Sequence, residues 1–157
     1  MSNKSLSVGD LCPSFSLLDQ HGKTINSSNL IGKQILVIYF YPKDDTPGCT
    51  AQACNLRDNY KKLIKKGIAI LGVSVDSVAS HVKFIDKYEL PFSLIADEDK
   101  KIVDKYNLWG QKKFMGKTYM GTTRTTFLID EAGMVQHIIE KPDTKDHTAE
   151  ILAISGW

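Results

Sequence analysis

No stretch of this chain is apolar for long enough to cross a membrane as a helix. Residues 1–9 lack the apolar segment of a signal peptide. Charge is nearly balanced: 20 Lys and Arg against 18 Asp and Glu leave a formal net charge of +2. No like-charge block is long enough to act as a basic arm, and the Lys61-Lys62 and Lys65-Lys66 pairs read as a solvated helix face. These absences argue against a membrane partner and against nucleic acid, and they make the cytoplasm the expected compartment. Cysteine is sparse, three in all, and structural disulfides are unusual in that compartment. The three thiols are therefore expected to be buried, catalytic or metal-bound. Cys49 and Cys54 stand in C-x₄-C spacing, poor for zinc, and His21, His81, His137 and His147 are scattered. Neither metal nor cofactor is expected, and the histidines receive no role.

No linker or repeat interrupts the chain, and 42% hydrophobic residues can fill one core. One domain over 1–157 is the expectation. Residues 35–41 and 68–75 are apolar on both faces, as strands covered on both sides must be. A helix is expected over 47–66 with Ala53, Leu56, Tyr60, Leu63 and Ile64 inward, stopping at Gly67. Another spans 78–88, capped by Asp76 or Ser77, with Val78, Val82, Ile85 and Tyr88 inward and Pro91 closing it. An extended pair is expected at 15–18 and 23–25, then a short turn at 29–33. Residues 92–95 suggest a strand, and Asp97 can cap a helix over 98–106 that uses Ile102, Val103 and Tyr106. Residues 108–121 are basic, aromatic and punctuated by glycine, and read as a long loop with some extended pairing, Trp109 packing locally. A hairpin at 125–130 and 134–140 and a helix over 144–154 complete the chain. The order β-β-β-α-β-α-β-α-β-β-α predicts an α/β fold: a mixed central sheet flanked by helices, with an N-terminal β extension.

The stretch that organises the chain is 35–57. Its apolar run stops at Pro42, a polar loop follows, and then Thr46-Pro47-Gly48-Cys49. Thr46 suits an N-cap and Pro47 the first helical position. Cys49 then lies in the first turn of a helix, where free N–H groups and the helix dipole favour a thiolate.

Residues 42–49 read Pro-x-x-x-Thr-x-x-Cys. This motif, with Val8-Gly9-Asp10, Tyr39-Phe40-Tyr41, Ala53-Cys54, Leu56-Arg57-Asp58, Gly72-Val73-Ser74, Trp109-Gly110, Lys117-Thr118-Tyr119-Met120-Gly121 and Arg124-Thr125-Thr126-Phe127-Leu128-Ile129-Asp130, resembles the Q-type peroxiredoxins, or bacterioferritin comigratory proteins. The likeness covers nearly the whole chain. It implies a thioredoxin-like fold and thiol-dependent reduction of hydrogen peroxide and organic hydroperoxides, recycled by a thioredoxin or glutaredoxin-like reductant. It also implies a monomer. Carried over by position, Cys49 matches the peroxidatic cysteine, Thr46 the hydroxyl that bonds sulfur and peroxide, and Pro42 the residue that shields the thiolate. Arg124 matches the arginine that completes the site, and Cys54 the resolving cysteine. The chain departs from the pattern at Gln52, where Glu is usual, and at Cys12, where a small residue is usual. Cys12 is expected to be a plain buried residue, and the loop at 108–121 is a candidate pocket wall or docking surface for the reductant.

The chemistry asks for these residue types. A thiolate attacks one peroxide oxygen, the other leaves as water or alcohol, and a sulfenic acid remains. Arg stays charged and its planar fork can bond sulfur and oxygen together. Residues five apart in an intact helix have Cα atoms roughly 8.7 Å apart, beyond the roughly 7 Å limit for a disulfide. A Cys49–Cys54 link therefore requires the start of the helix to unwind. Two other functions fit such a scaffold: a thiol-disulfide oxidoreductase, which would favour C-x-x-C, and a non-catalytic thioredoxin-like binding module, which would not need Thr46 and Arg124 beside Cys49.

Overall fold

The computed structural model describes residues 6–32 and 34–155. Residues 1–5 and 156–157 lie outside the described residues, as does Lys33 at the end of the expected turn. In that range the order is β1 (Ser16–Leu18), β2 (Thr24–Asn26), β3 (Ile35–Phe40), α1 (Pro47–Asp58), α2 (Tyr60–Lys65), β4 (Ile68–Ser74), α3 (Val78–Tyr88), β5 (Ser93–Ala96), α4 (Lys101–Lys105), β6 (Trp109–Phe114), β7 (Lys117–Thr122), β8 (Thr125–Ile129), β9 (Val135–Ile139) and α5 (His147–Ser155).

Because side chains alternate along a strand, β3 and Tyr41 feed two cores at once. Val37, Tyr39 and Tyr41 join Cys49, Leu56, Phe84 and Ile151 on one face, under α1, α3 and α5. Leu36, Ile38 and Phe40 join Ile102, Val103 and Phe127 on the other, under α4. Each such side chain contributes roughly 1.5–3 kcal/mol on burial, so a strand at the sheet centre is apolar throughout. The sheet runs β2-β1-β5-β4-β3-β8-β9. β3, β4 and β5 are parallel, and the outer strands are antiparallel to their inner neighbours. This is the expected mixed α/β sheet with an N-terminal β pair, in the thioredoxin-like arrangement.

Three local expectations need correction. The helix over 47–66 is broken at Asn59, whose side-chain amide donates to the Asn55 carbonyl at 2.8 Å. A side chain that takes a backbone carbonyl competes with the helical ladder. Past the break Leu63 stays buried, but Ile64 turns outward and is 52% exposed. In α3, Ser77 is the cap, accepting from the Ser80 N–H. Its inward positions are His81 and Phe84, not Val82, which is 39% exposed. Residues 81, 84, 85 and 88 keep the i, i+3, i+4, i+7 spacing, and the histidine disguised it. Finally, most of 108–121 is not loop. β6 and β7 form a regular antiparallel hairpin apart from the main sheet. Its two turn residues, Met115 and Gly116, both have positive φ (52° and 79°), as a tight type I′ turn requires.

Helix α5 is fastened to α1. Asn55 Oδ1 accepts from the Thr148 N–H at 2.8 Å, and its amide donates to the Lys145 carbonyl at 3.2 Å. Beside this joint lies His147, fully buried, with Nδ1 2.9 Å from Glu150 Oε1 and Nε2 2.9 Å from Thr126 Oγ1. Burial holds its pKa below the ordinary histidine value, against the pull of Glu150 and with the help of Arg124. The unfolded chain then binds this proton more readily than the folded one, so stability present above about pH 6.5 is lost as pH falls. Thermal unfolding between pH 8 and 5 is expected to show a falling midpoint. His147→Gln should flatten that slope, and an unchanged slope would assign it elsewhere.

Candidate active site

The site lies beyond the carboxyl ends of β3, β4 and β5, where open α/β sheets collect ligands. The loop after β3 leads straight into α1. Pro47 occupies the first turn, and Thr46 has the extended backbone of an N-cap (φ −101°, ψ 155°). Its hydroxyl makes no cap bond: it donates to the Lys43 carbonyl at 2.9 Å. Cys49 follows in the first turn, 1% exposed.

The register of β8 brings the arginine to the sulfur. Phe40 at the end of β3 pairs with Thr125, so Arg124 stands one step beyond the strand, where the chain turns toward α1. Its Nη2 donates to Cys49 Sγ at 3.3 Å and its Nη1 to Gln52 Oε1 at 2.7 Å. Gln52 is one helical turn after Cys49 and wholly buried. It thus holds the guanidinium without bringing a charge of its own, and its amide nitrogen has no partner among the described residues. The guanidinium charge and the start of α1 converge on one buried sulfur and stabilise negative charge there.

Gly48 is part of this fit. A Cβ at that position would stand 3.1 Å from Arg124 Nη2, closer than side chains normally tolerate. Gly48→Ala is expected to push the guanidinium off the sulfur and slow the reaction of Cys49 with peroxide about tenfold. Stopped-flow fluorescence would read this, and an unchanged rate would mean that the arginine yields without loss.

The other expected residues fall as follows. Pro42 is half-buried at the end of β3. Thr46 shares its loop, but its hydroxyl is engaged with Lys43 rather than with sulfur. Cys54 is a half-buried free thiol in the same continuous helix as Cys49. Cys12 belongs to the core on the opposite face of the sheet from Cys49. Its sulfur lies 3.1 Å from Tyr106 Oη, which itself donates to the Pro13 carbonyl. Burial pushes the Cys12 thiol up, so it stays protonated and donates to Tyr106. That matches a plain buried residue.

Beside Arg124 is a cavity of about 340 Å³ lined by Lys112, Thr123, Arg124, Glu140, Lys141 and Pro142. Partial burial and the nearby arginine push the Lys112 pKa down. Lys112 brings the β6–β7 hairpin to this cavity beside Arg124, and Lys100 covers the Trp109 ring at 5.0 Å. Sequence reasoning assigned no role to two histidines, His81 and His147, both buried and both hydrogen-bonded at each ring nitrogen. For His81 the spacing along α3 was the available signal.

A family model described as AhpC/TSA matches residues 8–138. Peroxiredoxin Bcp of Escherichia coli is 45% identical over 147 residues, 94% of each chain. A Xanthomonas campestris bacterioferritin comigratory protein, solved in trapped intermediate and ligand complexes and described for alkyl peroxide reduction, has a TM-score of 0.81. It is 34% identical, with 88% of each chain covered. A mutant of Xylella fastidiosa PrxQ has a TM-score of 0.88 at 26% identity, with 96% of each chain covered.

Proposed function

The chain belongs to the AhpC/TSA family, among the Bcp and PrxQ peroxiredoxins, and from that premise we propose how its own residues divide the work of a thiol-dependent peroxidase. Cys49 is the peroxidatic residue. Its thiolate attacks one oxygen of hydrogen peroxide or an organic hydroperoxide. The S–O bond forms as the O–O bond breaks, sulfur is oxidised by two electrons, and the distal oxygen leaves with a proton as water or alcohol. Arg124, already donating to the sulfur, stabilises the charge that grows on the leaving oxygen. Thr46 has its hydroxyl hydrogen turned to Lys43, so its lone pairs are left to accept from the peroxide O–H. Pro42 shields the sulfur from solvent.

Cys54 is the resolving residue. Its thiol condenses with the Cys49 sulfenic acid, releasing water and leaving an intramolecular disulfide, and a thioredoxin or glutaredoxin-like dithiol returns both thiols. We read the chain as one domain over 1–157 acting as a cytoplasmic monomer, without nucleic-acid or membrane partners. Among the described residues no helix is long and apolar enough to span a bilayer. The observation that carries the reading is the contact between Arg124 and Cys49, two residues far apart in sequence meeting at a helix start.

A rapid quench tests it. The reduced protein is mixed with one equivalent of hydrogen peroxide, free thiols are blocked within about a second, and peptides are mapped by mass spectrometry. Loss of two thiols with a Cys49–Cys54 link is the expected result. A Cys49–Cys12 link would move the resolving role, and a lone sulfenic acid would point to an outside thiol. Three intact thiols would overturn the peroxidase assignment of these residues.

A further inference from the structure

The loop between β3 and α1 carries Pro42 and Thr46, yet its middle residue faces the protein interior. Asp44 is buried and its carboxylate receives three donors. Tyr41 Oη lies 2.6 Å from Oδ1, while Ser80 Oγ at 2.9 Å and His81 Nδ1 at 2.7 Å both meet Oδ2. The Asp44 N–H donates to Asp76 Oδ2 at 2.8 Å, and Ser74 Oγ holds that same oxygen at 2.7 Å. The next residue, Asp45, has φ 55°. Its carboxylate takes Lys87 Nζ at 2.9 Å and Tyr88 Oη at 2.7 Å, both from α3. One face of α3 thus grips the loop at two consecutive residues.

His81 is the buried centre of that grip. Its Nε2 lies 3.0 Å from the Ile95 carbonyl oxygen. A carbonyl only accepts, so Nε2 carries a hydrogen. Nδ1 faces a carboxylate, so a further proton lies between ring and Asp44. Burial and the neighbouring Asp44 hold the Tyr41 phenol well above its ordinary pKa, so Tyr41 is a donor. The Asp44 carboxyl group is thus met by three side chains, two of them from α3. The ring is hydrogen-bonded at both nitrogens, which is what burial of polar groups demands.

We propose that His81 is a positioning residue for the peroxide pocket: through Asp44 it fixes the 42–46 loop, and with it Pro42 and Thr46, against Cys49. This rests on the peroxidase reading above. The buried histidine sets a distance in the pocket without touching the reacting atoms.

Two amide variants separate the bonds of His81. In His81→Gln the amide nitrogen overlays Nε2 and keeps the Ile95 bond; in His81→Asn it overlays Nδ1 and keeps the Asp44 bond. The second-order rate of Cys49 with hydrogen peroxide is measured by stopped flow. Alkylation by iodoacetamide is measured in parallel, because it needs the sulfur but not Pro42 or Thr46. His81→Gln is expected to slow the peroxide reaction about tenfold, and His81→Asn less than about threefold, with alkylation no slower in either. Ser80→Ala removes one donor from a half-buried position and is expected to slow the reaction about threefold. It serves as the test should His81→Gln fail to fold. Equal losses in the Gln and Asn variants would overturn the proposal, as would a parallel fall in alkylation or a wild-type rate in Ser80→Ala. A wild-type protein that consumes no peroxide would overturn the peroxidase reading itself and this inference with it.

Discussion

Arg124→Met is expected to slow the reaction of Cys49 with hydrogen peroxide by about 10²–10³-fold, the usual loss when a preorganised donor to developing negative charge is removed. The guanidinium does two things at once: one arm donates to the sulfur and the other is held by Gln52. Methionine keeps much of the bulk and removes both donors and the charge. Alkylation by iodoacetamide should fall as well, because the sulfur loses its charged neighbour. Arg124→Lys should lie between wild type and Met. It keeps the charge, but a single ammonium cannot span sulfur and Gln52 as the fork does. A peroxide rate within about threefold of wild type in Arg124→Met would mean that the leaving oxygen is stabilised elsewhere.

Cys54→Ser is expected to confine the protein to a single turnover. The peroxide reaction itself should keep its rate, a sulfenic acid should accumulate at Cys49, and steady-state consumption driven by a dithiol protein should fall to background. In the wild type, the same chemistry demands a change of shape. Cys49 and Cys54 lie in one continuous helix, where five residues separate Cα atoms by roughly 8.7 Å, and a disulfide needs them within about 7 Å. The start of α1 has no side-chain cap to hold it: the Thr46 hydroxyl serves the Lys43 carbonyl instead. The other end of the cysteine segment is anchored, because Asn55 is tied to Thr148 and Lys145. Hydrogen exchange is therefore expected to lose protection over 47–54 on oxidation and to keep it from Asn55 onward. A disulfide formed with protection intact over 47–54 would overturn the unwinding, and Cys54→Ser turning over at the wild-type rate would remove Cys54 from the cycle.

Much of the fold was legible because its signals are local. A strand buried on both faces must be apolar at every position, and 35–41 and 68–75 are. A thiol three residues after an N-cap threonine sits in the first helical turn, and Cys49 does. The β6–β7 hairpin was harder to see. Nearly all its described side chains from 111 to 120 are exposed, so no buried face imposes an alternation, and its turn is Met-Gly rather than the commoner Asn-Gly. The inward face of α3 was misjudged for a related reason. A histidine at 81 does not look apolar, and its burial depends on a carboxylate from another loop.

By itself, then, the sequence determined the two-faced central strands, the helix start that holds Cys49, and the presence of Thr46, Pro42, Cys54 and Arg124 in a recognisable pattern. Each of these is a matter of period, capping or motif within a few residues. Tertiary structure alone decided that Arg124 meets Cys49 through the pairing of β8 with β3. It decided that His81 meets Asp44 and that Cys12 lies across the sheet from Cys49. It also decided that the Thr46 hydroxyl turns to Lys43. Contacts between distant residues depend on strand order, register and helix phase. Those are settled by which packing buries the most apolar surface while leaving the fewest polar groups unpaired, a property of the whole chain rather than of any stretch of it.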